Sequence, residues 1–315
     1  MMVLAGILLM SFHADKGKDR RRIIVHDNLR RKFTVYTPAS FDRSMKMPAL
    51  IALHGRGSNR RGMMIVTRKG FNRLADKDGF LVVYPEGIRL NWNDGRRDEE
   101  AKDRAHRENI DDVGFISALI DFMIAEYNSD PQRIYVTGIS NGAMMAYRLA
   151  CELSQRIAAI APVDGNIPYL LVDKCSPSEP ISVLAINNVL DPLVPFKGGE
   201  IYNHSKRLKL GKVLSVKESI EFWVTRNRCL KDPIITEIPD KDPGDATRVV
   251  KQEYNHGSNG TEVTLYTIEG GGHTWPGGFQ YLPERKIGKT SRDIDANEII
   301  WTFFKKHSIL TATER

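Results

Sequence analysis

Residues 133–142 read RIYVTGISNG, and this stretch decides the fold because its serine stands between two glycines. The apolar run at 133–137 predicts a buried strand, and the residues at 141–153 predict a helix that begins directly after it. The turn is tight enough to require glycine on both sides of the serine, since side chains there would collide with the strand and the helix. A serine in this setting is typical of a nucleophile elbow, although an ordinary glycine-rich turn is the alternative.

Similar apolar runs, bounded by Gly or Pro, alternate along the chain with segments of helical length. Further strands are predicted at residues 33–37, 49–53, 80–84, 157–163, 181–186 and 262–268. Helices are predicted at residues 110–127, 141–153, 216–227 and 294–307. This alternation is typical of βαβ units and a mostly parallel sheet flanked by helices. The sequence therefore predicts the α/β fold class.

Two polar stretches interrupt this alternation, at residues 94–109 and 231–246. The first is nearly all charged or small, so we expect a solvated surface loop. Neither stretch is typical of a linker, and residues 23–315 are therefore predicted to form a single catalytic domain. Residues 1–22 are predicted to be a signal or lead-in segment, of which 15–22 form a mobile, basic part.

The composition is that of an ordinary globular protein. With 315 residues, 41% of them hydrophobic and 27% charged, the chain is not expected to be disordered. The net charge of +7 permits contacts with polyanions, but the basic residues form local runs without a nucleic-acid-binding motif. The apolar run at residues 2–10 is too short to span a membrane, and it could be the core of a signal peptide. We therefore expect a secreted or periplasmic protein with no integral membrane segment and no nucleic-acid partner.

The three cysteines are too few for a disulfide scaffold, and they lack the spacing of a zinc site. Cys151 ends the predicted elbow helix, and Cys175 lies in a proline-rich turn that could fold back towards it. If the protein is exported, we expect these two residues to form a disulfide and Cys229 to remain free. No metal and no organic cofactor are predicted.

A nucleophilic serine needs a base, and the base needs an orienting acid. After an elbow, the expected chain order is serine, then acid, then histidine. Among the eight histidines, His273 is the best candidate because it lies in a glycine-rich loop, GGGHTWPGG at 270–278. That loop follows a predicted strand and can bring the imidazole close to Ser140.

Asp191 is the preferred acid because it follows the strand predicted at 181–186. It is expected on the same rim of the sheet as the elbow serine. Asp164 and Asp173 are rival candidates, and a turn-forming Asp-Pro pair is the alternative interpretation of Asp191.

An oxyanion hole needs two backbone N–H groups that converge on one point. The N–H of Asn141, directly after the serine, is the first candidate. The second is the N–H of Arg56, in the glycine-containing loop at 54–59. His54, in the same loop, is a candidate substrate-binding residue, with bracing of the loop as its alternative structural role.

Further motifs occur in a defined order across residues 33–307. They are His54-Gly55 with Gly57 and Asn59, Tyr84-Pro85, DDVGF at 111–115, RIYVTG at 133–138, Ser140-Asn141-Gly142, Asp191-Pro192 with Pro195, GHTWPGG at 272–278, and Ile300-Trp301 with Phe303-Phe304. Together they resemble the poly(3-hydroxybutyrate) depolymerase and carbohydrate esterase family 1 group, which includes feruloyl and acetylxylan esterases. The resemblance implies an α/β-hydrolase fold, a secreted serine esterase and a triad of Ser140, Asp191 and His273. It also implies that Trp275 lies near the acyl pocket.

The resulting hypothesis is a serine carboxylesterase that acts through an acyl-enzyme. Its expected substrates are aryl or acetyl esters linked to carbohydrates, or hydroxyalkanoate oligomers. Trp275 would stack on the substrate, while the alternative is that its ring anchors the loop to the core. A non-catalytic binding protein and a peptidase on the same scaffold remain rival hypotheses. The acyl group, the alcohol and the oligomeric state stay open.

Overall fold

The computed structural model describes residues 17–96, 103–203 and 208–310. The strands of these residues are β1 (Lys18–His26), β2 (Leu29–Thr37), β3 (Met47–Leu53), β4 (Leu81–Pro85), β5 (Ser129–Ile139), β6 (Ala159–Val163), β7 (Ser182–Asn188), β8 (Gly199–Tyr202), β9 (Lys209–Val213), β10 (Ile234–Ile238), β11 (Arg248–Tyr254) and β12 (Val263–Glu269). The α-helices are α1 (Arg60–Val66), α2 (Gly70–Asp78), α3 (Arg104–Arg107), α4 (Asp112–Tyr127), α5 (Asn141–Glu152), α6 (Val216–Asn227), α7 (Glu284–Ile287) and α8 (Ala296–Phe304).

The main sheet has the strand order β1-β2-β4-β3-β5-β6-β7-β12-β11-β10, and β8 pairs with β9 in a separate ribbon. Its central strands, from β4 to β12, run parallel, whereas the strands at both ends are antiparallel. The parallel arrangement confirms the α/β prediction. It also brings the ends of β5, β6, β7 and β12 to one edge of the sheet, where parallel α/β folds form their sites.

Helices cover both faces of the sheet, and the side chains of its central strands are mostly apolar and buried on both faces. The cores on the two faces are separate: α4, α5 and α6 contribute to one, and α1, α2 and α8 to the other. On the first face the disulfide Cys151–Cys175 ties the end of α5 to the following 3₁₀ turn, as predicted, and Cys229 is free and buried. No helix of the described ranges is both long and apolar enough to cross a membrane.

The prediction that residues 15–22 form a mobile lead-in is wrong from Lys18 onwards. Strand β1 begins at Lys18 and pairs with β2 along its whole length. Its first residues are exposed, as expected of an edge strand, so the chain needs no apolar alternation there to form a strand. Residues 1–16, including the predicted signal segment, lie outside the described residues.

The prediction of a solvated loop at 94–109 is also wrong for residues 94–96 and 103–106, which are buried or half-buried, whereas residues 107–109 are exposed as expected. Asp94, Arg96 and His106 are at most 6% exposed, and α3 lies within this stretch. Their charges can be buried because they pair with one another, with Asp94 accepting hydrogen bonds from both Arg96 and His106. Residues 97–102 lie outside the described ranges. The other polar stretch contains the exposed edge strand β10.

Candidate active site

Ser140 lies at the apex of the turn between β5 and α5, as the elbow prediction requires. Its backbone has φ 59° and ψ −121°, a conformation that residues other than glycine rarely adopt. The Ser140 N–H donates to the Val163 carbonyl at 2.9 Å, which ties the turn to the end of β6. A Cβ at Gly138 would lie 2.6 Å from the Gly142 backbone, and one at Gly142 would lie 2.5 Å from the Leu53 carbonyl oxygen. Only glycine therefore fits on either side of the serine.

His273 and Asp191 form a buried pair at the same edge of the sheet. Nδ1 of His273 lies 2.6 Å from Oδ2 of Asp191, and both side chains are less than 5% exposed. Oδ1 of Asp191 accepts hydrogen bonds from the N–H groups of Leu193 and Val194, which hold the carboxylate in place. Burial alone would lower the pKa of His273, but the charge and hydrogen bond of Asp191 raise it above its ordinary value.

Asp164, the first rival acid, lies beside this pair. It accepts hydrogen bonds from the Thr274 N–H at 2.9 Å and from the Asn188 backbone N–H at 3.0 Å. Burial and the nearby charge of Asp191 raise the pKa of its carboxyl group well above the ordinary range. Asp164 therefore supports the loops that carry His273 and Asp191, whereas Asp173, the second rival, is exposed on a 3₁₀ turn.

Among the described residues, Asp164, Asp191 and His273 form a group whose spacing would allow them to bind a metal ion. Their potential ligand atoms lie within 4.8 Å of one another. Their oxygens and Nδ1 are already committed to hydrogen bonds within the protein. The arrangement is suited to a different role, in which Asp191 holds the imidazole of His273 and the proton on its Nδ1.

The two residues whose backbone N–H groups are proposed for the oxyanion hole line one cavity. Arg56, Ser140 and Asn141 all line this cavity. Within the part of the chain that the structure describes, the N–H groups of Arg56 and Asn141 donate no hydrogen bond. Gly55 allows the close approach of the two loops, because a Cβ there would lie 3.4 Å from Cβ of Ser140.

His54 is among the residues that line the cavity, and its contacts favour the alternative bracing role, while its substrate-binding role stays a prediction. The side chain is fully buried. Its Nε2 accepts a hydrogen bond from the Gly87 N–H at 3.0 Å, and Nδ1 donates to the Gly55 carbonyl at 2.8 Å. Burial lowers the pKa of His54 to about 4, so the ring is neutral. Both nitrogens are occupied, and the ring holds the loop at 54–59 against the segment after β4.

The prediction that Trp275 stacks on the substrate is wrong. Its indole is fully buried, packs edge-on against Phe71 with ring centroids 5.9 Å apart, and is absent from the cavity wall. Gly277, at φ +72°, reverses the chain directly after it. The indole lies in the core against Phe71 of α2, where burial of its large apolar surface is favourable.

Three aromatic side chains that the sequence analysis missed line the cavity instead. Tyr202, Phe279 and Tyr281 are 41%, 51% and 36% exposed, and the Tyr281 hydroxyl donates to the His273 carbonyl at 3.0 Å. The FQY motif directly after the HTWPGG run was the available signal for two of them. The cavity measures about 770 Å³, and both Ser140 and His273 line it.

A buried ion cluster beneath the elbow was also missed. The Asn141 side chain donates to Asp94 at 2.6 Å and accepts from the Trp92 N–H at 2.8 Å. Asp94 in turn binds Arg96 and His106. The cluster links the first residue of α5 to the chain segments on either side of residues 97–102, so it positions the elbow. No periodic pattern in the sequence identifies such a cluster.

The parallel sheet, its helical layers and the serine at the strand-to-helix turn define an α/β-hydrolase. Solved structures share this fold. A thermostable esterase superposes with a TM-score of 0.56 and 14% identity, over 92% of this chain and 63% of that one. Acetyl xylan esterase from Aspergillus awamori superposes with a TM-score of 0.54 and 14% identity, over 81% of this chain and 94% of that one.

Relatives are also found by sequence. "Putative esterase NocK" from Nocardia uniformis subsp. tsuyamanensis is 30% identical over 293 residues, which cover 89% of this chain and 80% of that protein. Feruloyl esterase B from Piromyces equi is 28% identical over 255 residues, which cover 77% of this chain and 42% of that protein. The chain thus spans less than half the length of the Piromyces enzyme.

The family model described as Esterase PHB depolymerase matches residues 32–169. Together with the long alignment to the Nocardia protein, this match shows that the chain belongs to the Esterase PHB depolymerase family. The chain is therefore a serine hydrolase with esterase function, which confirms that part of the sequence hypothesis.

Proposed function

We propose that Ser140, His273 and Asp191 are the catalytic triad of a carboxylic ester hydrolase that works through an acyl-enzyme. The observation that carries the proposal is the buried His273–Asp191 hydrogen bond of 2.6 Å, beside a cavity that Ser140 also lines. Because Nδ1 of His273 is bound to Asp191, Nε2 is the ring nitrogen left to serve the serine.

In this mechanism, Nε2 of His273 accepts the proton of the Ser140 hydroxyl as its oxygen attacks the ester carbonyl. Asp191 holds the ring in the required tautomer and stabilises the imidazolium that forms. The negative charge that develops on the carbonyl oxygen is bound by the N–H groups of Asn141 and Arg56. These two groups suit the role because neither is used within the described protein, and the N-terminus of α5 adds a favourable dipole.

Collapse of the tetrahedral intermediate then breaks the bond to the alcohol, and His273 returns the proton to the departing oxygen. Water attacks the acyl-enzyme in the same manner, with His273 again as base, and the acid is released while Ser140 is regenerated. The strained backbone of Ser140 holds its side chain at the same point through both steps.

We further propose that the substrates are aryl or acetyl esters of carbohydrates, or short hydroxyalkanoate oligomers. The names of the relatives, feruloyl esterase and acetyl xylan esterase, support the first class. The size of the cavity and its three partly exposed aromatic rings are suited to an aryl group or the flat face of a sugar ring. The Cys151–Cys175 disulfide supports export to an oxidising compartment.

The test is Ser140→Ala, assayed on para-nitrophenyl acetate and on methyl ferulate. We expect turnover to fall to the residual level left by the oxyanion hole and binding, with the circular dichroism spectrum unchanged. A fluorophosphonate probe should label the wild type and fail to label the variant. Ser44→Ala, at an exposed position in the loop between β2 and β3, is the matched control and should keep both activity and labelling.

Wild-type hydrolysis by Ser140→Ala would overturn the assignment. A wild type that binds these esters without turnover would favour the rival binding protein. Cleavage of a peptide with no ester hydrolysis would favour the peptidase.

A further inference from the structure

Arg56 presents to the cavity a cation that has no hydrogen-bond or ion-pair partner among the described residues. Its side chain is exposed and lines the cavity, and within the described residues its guanidinium forms no hydrogen bond and no ion pair. Arg56 and Ser140 line the same cavity, so a substrate bound at the serine can reach the cation. An arginine side chain presents five donors in a planar fork, a geometry that matches a carboxylate.

In the described part of the chain, the charged groups near Arg56 are paired with one another. Arg96 also lines the cavity, but its Nε binds the buried carboxylate of Asp94 at 2.8 Å. Asp103, whose charge acts on Arg56, binds Nδ1 of His106 at 2.9 Å. His106 is itself charged, because Asp94 and Asp103 raise its pKa. The remaining charge of this cluster is therefore the cation of Arg56.

The described residues of the cavity wall include no negative side chain that could neutralise the cation of Arg56. Among the lining residues that the structure describes there is no Asp or Glu, and many are apolar, such as Met63, Met144 and Leu193. A neutral, apolar ester would leave the guanidinium partly desolvated without a partner, which costs free energy. An ester with its own negative group would provide the partner.

We propose that the ester substrate of this enzyme carries a carboxylate, and that the Arg56 guanidinium binds it. The inference rests on the proposed function in that Ser140 is the nucleophile. Arg56 then has two separate roles: its backbone N–H belongs to the oxyanion hole, and its side chain determines specificity. Esters of this class include half-esters of dicarboxylic acids and linear oligomers of hydroxy acids that end in a free acid.

Two matched substrate pairs test the proposal and show which side of the ester carries the anion. Para-acetoxybenzoate and para-acetoxybenzamide differ in charge on the alcohol side. Monomethyl glutarate and its carboxamide analogue differ in charge on the acyl side. The quantity compared is the ratio of kcat/KM for the anionic substrate to kcat/KM for the neutral one. In Arg56→Gln we expect this ratio to fall at least about tenfold for one of the pairs, in line with the loss of a charge-assisted hydrogen bond.

Two further variants separate recognition from a general change in charge. Arg56→Lys should retain part of the preference for the anionic substrate, because it keeps the positive charge. It should lose the rest, because lysine lacks the planar guanidinium that binds a carboxylate through two hydrogen bonds. Arg61→Gln removes the same charge from an exposed site on α1 outside the cavity and should leave the ratio unchanged. The proposal is overturned if Arg56→Gln keeps the wild-type ratio for both pairs, or if Arg61→Gln lowers it equally.

A binding experiment keeps this test independent of catalysis. In Ser140→Ala, calorimetry should show tighter binding of para-acetoxybenzoate than of the amide, and the difference should disappear when Arg56→Gln is added. Equal binding of the two would overturn the carboxylate site even if the triad is correct. Conversely, a charge preference that depends on Arg56 would support the site even if Ser140 proved not to be the nucleophile.

Discussion

At the scale of single residues, the site depends on a few positions whose conformation or ionisation is unusual. Ser140 is held at a positive φ between two positions that accept only glycine, so its side chain cannot relax out of the elbow. His273 is buried and yet more basic than usual because Asp191 is hydrogen-bonded to it. Both properties come from neighbours that lie far away along the chain.

The raised pKa of His273 predicts a pH profile. The base must be neutral to accept the Ser140 proton, so kcat/KM should fall as the pH drops through a pKa above the ordinary value of about 6.5. Asp191→Asn removes the main cause of the shift. It should move this acid limb to lower pH and reduce kcat by about 10⁴-fold, as loss of the orienting carboxylate does in serine hydrolases.

The measurement is a pH–rate profile of the wild type and the variant. Asp173→Asn, at an exposed position outside the site, is the matched control and should leave the profile unchanged. A wild-type acid limb below about pH 6.5, or one that Asp191→Asn leaves in place, would contradict the prediction.

At the scale of elements, the disulfide anchors the helix that begins at the elbow. Cys151 lies in the last turn of α5, and Cys175 caps the 3₁₀ turn Tyr169–Lys174. The bond closes a loop with a sequence separation of 24 residues that contains the whole of β6. It therefore restrains the unfolded chain over the segment that connects the elbow helix to the middle of the sheet.

Removal of this disulfide is predicted to lower stability while leaving the elbow intact. The double variant Cys151→Ala/Cys175→Ala should lose about 3 kcal/mol of unfolding free energy by the loop-entropy relation. Urea denaturation measures the loss, and Cys229→Ala, which deletes the free thiol, should cost less. Thiol titration of the denatured, non-reduced wild type should find one thiol, whereas three would refute the bond.

At the scale of the whole molecule, a buried ion cluster joins the start of α5, at the sheet edge, to the segments that contain Asp94 and His106. His106 lies between Asp94 and Asp103, at 2.9 Å from each. Burial would lower the pKa of His106, but these two carboxylates raise it to about 9. Asp94 also binds the side chain of Asn141, so the charge state of His106 is coupled to the segment that carries the elbow.

The cluster predicts how stability depends on pH. The pKa of His106 is higher in the native state than the value of about 6.5 expected when unfolded, so its charge adds stability that is complete below about pH 6.5. This contribution should be lost as the pH rises through about 9. The difference in unfolding free energy between the wild type and His106→Gln should therefore shrink over that range. His256→Gln, at an exposed position, should show no such change, and a constant difference for His106→Gln would contradict the prediction.

Much of the fold could be predicted because it rests on local patterns. The predicted strand at 49–53 lies within β3, helix α6 has the predicted bounds, and the elbow glycines follow from the tight strand-to-helix turn, although Leu53 on the neighbouring strand also excludes side chains there. The pairing of His273 with Asp191 also follows from strand order, since both residues come directly after parallel strands. By contrast, β1 and β10 are exposed at the ends of the sheet, and no apolar pattern identifies them.

The sequence by itself determined the α/β class, the strand-to-helix turn at Ser140 and the choice of His273 and Asp191 as a pair. Only the tertiary structure decided that Trp275 faces the core, that His54 is a brace and that Asp94 and His106 are buried. The physical reason is that the direction of a loop side chain and the burial of a charge depend on which distant groups pack against them. Those groups, such as Phe71 for Trp275, meet only when the chain has folded.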